Sequence, residues 1–262
     1  MPLRFYDLVT KKRTGVFFSN NCSPVRLALL AKGIDFVTEE VEYPDLRFTW
    51  TPVLVKELGV EKATAPFIEC EDGKHVMDSL TIALWLDKAY PDRYNLFLPE
   101  AELPVDVGSQ DYKQAVQNFE KMEDELNDLI AQVDELYGPR IVSQLDAESG
   151  RYWVEKNGYG TEEWANLVAT QNDPSKVQRI QRTLRKLAED HLAGDALFLT
   201  SATKPGFTDF VMVGISRLLR SLSARLYRET FQSPESGQFA DWAARMDKAF
   251  PLEDIRARDL QD

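Results

Sequence analysis

The stretch that most constrains this chain is "APFIECEDGKHVMDSLTIALWLDKAYPD", residues 65–92. Asp72-Gly73 sits between two short apolar runs, a hairpin signal, because glycine supplies the positive φ of a tight turn. Pro66 has no N–H to give to a ladder, so it must open its strand. After the hairpin, Ile82, Leu86 and Tyr90 recur at helical spacing, Ser79 fits the N-cap, and Pro91 ends the helix. Upstream, "LRFYDLV" (3–9) and "DFVTEEVEY" (35–43) read as strands. The helix between them, "PVRLALLAKG" (24–33), stops at Gly33. "TPVLVKELG" (51–59) is a short helix with Pro52 in its first turn and Gly59 after it. The order βαβ, α, ββα joins a parallel unit to an antiparallel hairpin. The expected architecture is an α/β mixed sheet with helices on both sides.

The pattern changes near residue 100. Residues 97–110 carry Pro99, Pro104 and Gly108 without any period, and read as a linker after a domain spanning 1–96. From 111 to 262 the chain reads as all-helical. Ala115, Phe119, Met122, Leu126, Leu129, Val133 and Leu136 form the stripe of one long amphipathic helix, whose other face carries Glu120, Glu123, Asp124 and Asp128. Ile180, Leu184, Leu187 and His191 mark another helix; residues 209–226 read as a buried one and 238–250 as a terminal one.

Composition narrows the function classes. A 44% hydrophobic and 28% charged chain of 262 residues is an ordinary globular protein with room for two cores. No apolar run approaches the roughly 18 residues of a membrane span, and the first residues lack a signal-peptide pattern, so a cytoplasmic protein without membrane partners is expected. Cys22 and Cys70 make no disulfide framework. No pair stands at metal-ligand spacing and the histidines are His75 and His191, so no metal is expected. A net charge of −12 would repel a phosphate backbone, which argues against nucleic acid.

Three places could carry chemistry. An Ala65-Pro66 bond in the cis form would turn the Ala65 backbone toward an extended, peptide-like ligand. Asp78-Ser79 at a helix start offers free N–H groups and a hydroxyl to a carboxylate, and Asp78 to an ammonium. The third is the polar knot "SNNCS" (19–23) before the helix at Pro24. That helix end favours an anion, including a thiolate, and a serine hydroxyl can donate to it. No histidine is an obvious base for a serine nucleophile, so the site would activate a bound thiol.

The polar knot, the Ala-Pro strand start, the Asp-Ser helix start and the helical domain follow in that order. The sequence resembles the cytosolic glutathione transferase superfamily, most nearly the fungal etherase-related (FuA) class. The resemblance rests on "ALLAKGIDF", "VEYPDL", the 65–92 stretch and, more loosely, "ESGRYWVEKN". It implies a thioredoxin-like N-terminal domain that binds glutathione as co-substrate, and a helical domain that supplies a hydrophobic substrate site. Pro66 would match the family's cis-proline, Ala65 the residue paired with the cysteinyl part, and Asp78 with Ser79 the grip on the γ-glutamyl end. Lys62 is the candidate for the glycyl carboxylate. Ser19 aligns with the active-site serine; Asn20 stands where a proline is usual. Cys22, Ser23 and Tyr6 remain alternatives. Phe17, Phe18, Asn20, Asn21 and Trp153 are candidates for the substrate pocket, and Trp50 is a further aromatic that could line it. The stretch "GFTD" keeps Asp209 but puts Gly206 at the helix cap, which loses half of a capping box.

Three functions fit this reading. One is transfer of glutathione to a hydrophobic electrophile, with reductive aryl-ether cleavage as a variant. A second is glutathione-dependent isomerisation of a conjugated carbonyl compound of secondary metabolism. The third is a ligand-binding or regulatory protein without turnover. The resemblance also implies a homodimer.

Overall fold

The computed structural model describes residues 2–251. Four strands, β1 (Leu3–Leu8), β2 (Phe36–Val41), β3 (Phe67–Glu69) and β4 (His75–Met77), form one sheet in the order β2-β1-β3-β4. β1 pairs parallel with β2, Phe5 opposite Thr38, and antiparallel with β3, Phe5 opposite Ile68. β3 and β4 pair antiparallel across the turn that holds Gly73 at φ +82°. Leu3, Phe5, Tyr6, Asp7 and Leu8 are all buried, which explains why this central strand shows no alternation of polar and apolar residues. This is the thioredoxin-like mixed sheet the sequence implied, followed by a predominantly helical region.

Around the sheet lie α1 (Cys22–Ala31), α2 (Thr51–Leu58) and α3 (Ser79–Ala89). Three local details differ from expectation. First, α1 starts at Cys22, two residues before Pro24, because Ser19 closes the turn ahead of it: its Oγ accepts the Cys22 N–H at 3.1 Å. Second, Asp78 caps α3 in place of Ser79. Its carboxylate accepts the Thr81 N–H at 2.9 Å from a backbone at φ +83°. Third, residues Asp45–Trp50 wind into a π-helical turn ahead of α2.

Residues 90–109 form no regular helix or strand, yet they are pinned from below. Asp87, fully buried, pairs with Lys32 at the C-cap of α1 at 2.7 Å, takes the Leu96 N–H at 3.2 Å and accepts the Tyr112 hydroxyl at 3.1 Å. One carboxylate thus ties α1, the connecting segment and the next helix together. That helix, α4, runs Gln110–Val142 and is followed by α5 (Ala147–Lys156), α6 (Thr161–Ala169) and α7 (Pro174–His191). The helix expected over 209–226 is two. Ser223 breaks it, ending α8 (Phe207–Leu222) and capping α9 (Ala224–Thr230) through its Oγ and the Leu226 N–H at 3.2 Å. α10 spans Gln238–Ala249, and residues 252–262 of the expected helical domain lie outside the described residues. Among the described residues no helix is long and apolar enough to cross a membrane.

Two glycines set how the halves meet. α1 packs against α8. A Cβ on Gly214 of α8 would stand 2.4 Å from the Asn20 carbonyl oxygen and 3.2 Å from Pro24 Cδ, so only glycine lets the polar knot lie on that helix. At the α8 cap, a Cβ on Gly206 would stand 2.7 Å from Thr200 Oγ1. The missing half of the capping box is therefore a matter of space. Asp209 keeps the other half, its Oδ2 taking the Gly206 N–H at 2.9 Å. Its Oδ1 takes the Leu199 N–H at 3.0 Å and the Trp242 indole N–H at 2.8 Å.

Candidate active site

A cavity of about 450 Å³ opens between the sheet domain and helices α4 and α5. The sheet side contributes Phe18, Ser19, Asn20 and Asn21 from the loop before α1, Tyr43 from the loop after β2, and Lys62 to Ala65 from the loop before β3. The helical side contributes Ile130, Asp134 and Tyr137 from α4, and Tyr152, Trp153 and Lys156 from α5. Of the candidates read from sequence, Ser19, Lys62, Ala65, Phe18, Asn20, Asn21 and Trp153 therefore share one space.

Ser19 is half-buried at the foot of α1. A hydroxyl carries two lone pairs and one proton. The Cys22 N–H occupies a lone pair, and the Cys22 thiol lies within hydrogen-bond reach of the same hydroxyl. The first N–H groups of α1 add their positive end to the same spot.

The alternatives in the knot point away. Cys22 is 0% exposed, and burial, reinforced by the Asp7 carboxylate, pushes its thiol well above the ordinary range. It packs as core and offers no thiolate. Ser23 and Phe17 face a separate space of about 30 Å³, with Asp7, Arg26 and Arg217. The Arg26 guanidinium lies 5.3 Å over the Phe17 ring and pairs with Asp7 at 2.8 Å. The Tyr6 hydroxyl donates to Glu69 at 3.1 Å, its ring stacks on Phe67 at 4.1 Å, and burial raises its pKa. Trp50 packs on Tyr6 at 4.7 Å and on Phe67 at 5.0 Å, away from the cavity.

The Ala65–Pro66 peptide bond is cis, as is Leu103–Pro104. Ala65 and Thr64 line the cavity, and Pro66 behind them is buried. Asp78 and Ser79 do not line it. They begin α3 just beyond the cis bond, the Asp78 N–H donating to the Pro66 carbonyl at 3.2 Å. The Asp78 side chain is exposed, and its charge reaches Glu123 of α4.

The sequence reading missed Asp134, Tyr137, Tyr43, Tyr152 and Lys156. Asp134 is hydrogen-bonded with Tyr137, burial raises its carboxyl to about 6, and its Oδ1 is buried without a partner. Burial likewise raises Tyr43 and Tyr137. Lys156 is an exposed residue, yet the atoms packed about its head and then the Lys62 charge lower its pKa. Two ammonium groups within reach of each other at a cavity wall are a place for an anion. Arg47 and Glu148 form an exposed pair at 3.6 Å beside them. Gly138 gives Trp153 its place: a Cβ there would stand 2.8 Å from the indole. The signal available in sequence was the i,i+3 pair Asp134 and Tyr137, flanking the apolar stripe of α4 and not on its acidic face. Among the described residues no cluster of three or more His, Cys, Asp or Glu side chains could hold a metal ion.

The fold is a thioredoxin-like sheet domain followed by a predominantly helical region, with the cavity between them. Residues 14–94 match the family model described as glutathione S-transferase, N-terminal domain. The fold is shared along nearly the whole chain with solved structures. Glutathione transferase GSTFuA2 from Phanerochaete chrysosporium is 21% identical with a TM-score of 0.67, over 95% of this chain and 98% of that one. Glutathione S-transferase CsGST83044 of Ceriporiopsis subvermispora, solved in complex with glutathione, is 21% identical with a TM-score of 0.70, over 95% and 99%. Rice GST1 (OsGSTU1), also in complex with glutathione, is 17% identical with a TM-score of 0.56, over 98% and 90%. No curated protein matches the sequence. Residues 14–94 thus match the N-terminal domain family, and the fold of the whole chain is the one these glutathione transferase structures share.

Proposed function

We propose that the chain is a glutathione-dependent enzyme that holds the glutathione thiol as a thiolate at Ser19 and directs it at a hydrophobic electrophile in the cavity. The observation that carries this reading is the Ser19 hydroxyl. Its oxygen takes the Cys22 N–H, and the residue lines the cavity wall that also bears Ala65 beside the cis bond, where a bound thiolate would compete with the buried Cys22 thiol for the hydroxyl proton. The donor set suits an anionic peptide thiol. Ala65 offers backbone to the cysteinyl part, Lys62 with Lys156 a seat for the glycyl carboxylate, and Asp78 with Ser79 an end point for the γ-glutamyl group. Phe18, Asn20, Asn21 and Trp153 bound the room left for the second substrate. We read the protein as cytoplasmic and homodimeric. Isomerisation of a conjugated carbonyl by reversible thiol addition uses the same site and differs from transfer in leaving no conjugate, which product analysis separates.

The test is calorimetry of glutathione binding, with thiolate absorbance followed across pH, on wild type, Ser19→Ala and Cys22→Ala. The bound thiol titrates roughly two units below the free value of about 8.5. Ser19→Ala raises it by about one unit or more, and Cys22→Ala leaves it in place. An unchanged thiol pKa in Ser19→Ala removes the serine from the mechanism. Absence of glutathione binding by wild type removes the enzyme reading altogether.

A further inference from the structure

The cavity wall opposite the polar knot carries a carboxyl that the glutathione reading leaves unused. Asp134 lines the cavity from α4, its Oδ1 is buried without a hydrogen-bond partner, and Tyr137 one turn on is bonded to the carboxyl. A lone pair kept from water and from protein is costly to hold on an ionised group, so the carboxyl at this cavity wall favours its protonated, proton-giving form. The groups facing it are Tyr43 from the loop after β2, Tyr152 and Lys156 from α5, and Tyr159 beyond α5. Arg47, Lys62 and Glu148 complete the charges around the space.

We propose that Asp134, held by Tyr137, is a catalytic proton donor and acceptor at the carbonyl oxygen of the second substrate, and that this substrate is an α,β-unsaturated carbonyl compound. The inference rests on the thiolate reading above and names the substrate class of that site. The thiolate sulfur forms a bond to the β-carbon. The alkene π pair moves between the α-carbon and the carbonyl carbon, and the carbonyl π pair moves to oxygen. The Asp134 carboxyl gives its proton to that oxygen, leaving an enol adduct and a carboxylate. In the reverse sense the carboxylate takes the proton back, the C–S bond breaks, and the thiolate is restored. Rotation about the Cα–Cβ single bond in between gives the other geometric isomer. An aryl halide needs no such proton, since halide leaves as the anion. A group that gives and takes a proton near neutral pH suits the reversible case, and its raised carboxyl pKa of about 6 agrees.

The experiment measures kcat/KM with glutathione between pH 5 and 8 for wild type, Asp134→Asn and Tyr137→Phe. The probes are trans-4-phenyl-3-buten-2-one, 1-chloro-2,4-dinitrobenzene and styrene oxide. Asp134→Asn is expected to lower turnover of the enone on the order of 100-fold, and that of the aryl halide at least tenfold less. Wild type shows a descending limb for the enone above about pH 6 that Asp134→Asn lacks. Tyr137→Phe, which keeps the carboxyl but frees it, lowers kcat on the enone about tenfold with KM little changed. Equal losses on enone and aryl halide, a descending limb that survives in Asp134→Asn, or styrene oxide preferred over the enone each overturn the proposal. If Asp134→Asn fails to bind glutathione, the pH limb and Tyr137→Phe decide it. Wild type that conjugates the aryl halide and ignores the enone sinks this proposal alone; wild type that binds no glutathione sinks the reading beneath it.

Discussion

Asp134 and Asp209 are both carboxyls on helices of the same half of the molecule, and burial raises both to about 6. Their surroundings have little else in common. Asp209 is 0% exposed and holds three donors: the Leu199 and Gly206 N–H groups and the Trp242 indole. Asp134 touches Tyr137, lines a cavity and leaves one buried oxygen without a partner. A raised pKa reports lost water in each case. What separates a latch from a reactive group is whether the protein has used up the lone pairs. Asp209 is spent on fastening the start of α8, and with it the wall on which the polar knot rests. Asp134 is not spent.

Removing each carboxyl puts that contrast at risk. Asp209→Ala relieves the burial of a charge but strands three buried donors in the joint between α8, α10 and the loop at Leu199. The expected cost is about 3–5 kcal/mol, the range for breaking one partner out of a buried network. Urea unfolding at pH 7 measures it. A loss under about 1 kcal/mol would mean that the latch is idle and that the two carboxyls are alike after all.

Asp134→Asn is expected to act in the opposite direction and with less force. The folded state holds the Asp134 proton more tightly than the unfolded chain does, so wild-type stability falls as pH rises from about 4 to about 6. At pH 8 the ionised carboxyl is a net burden of about 1–3 kcal/mol, which the neutral amide does not carry. The variant should thus be more stable than wild type at pH 8, and close to it at pH 4. Paired urea curves at the two pH values test the sign. A variant less stable at both would make Asp134 a second latch.

The two carboxyls also differ in how far sequence reveals them. Asp209 is legible because it sits in a local pattern, three residues after a cap position, and local patterns are what helix ends impose on sequence. The same holds for the Asp72-Gly73 turn, the strand opened by Pro66, and Ser19 ahead of a helix. Even there, boundaries moved. α1 begins at Cys22, with Asn21 at its cap position and the Ser19 hydroxyl taking the Cys22 N–H, and Asp78 displaces Ser79 because its side chain reaches the Thr81 N–H. Asp134 is not legible in that way. Its role depends on α4, α5 and the Tyr43 loop converging, and no short stretch records that convergence. Which way the Cys22 and Ser23 side chains point is hidden from sequence for the same reason. Their side chains leave the shared loop toward the core and toward Arg217, and direction is a tertiary fact.

Ser19 stands between the two cases, since its hydroxyl both holds a backbone N–H and lines the cavity. The oxygen fastens the first turn of α1, and the side chain lines the cavity. Ser19→Ala should therefore show two separate losses. The structural one is that of a helix-start hydroxyl, about 0.5–1 kcal/mol in urea unfolding of the free protein, and it should not depend on pH between 5 and 8. The functional one is seen only with glutathione bound, as the rise in thiol pKa. Ser19→Asn divides them, because asparagine caps a helix about as well as serine but cannot put a hydroxyl proton on the thiolate. Stability recovered in Ser19→Asn while the thiol pKa stays high would confirm that one atom pair serves two ends. If the same variant restores the thiol pKa along with stability, the hydroxyl proton has no special part and the positive end of α1 carries the activation alone.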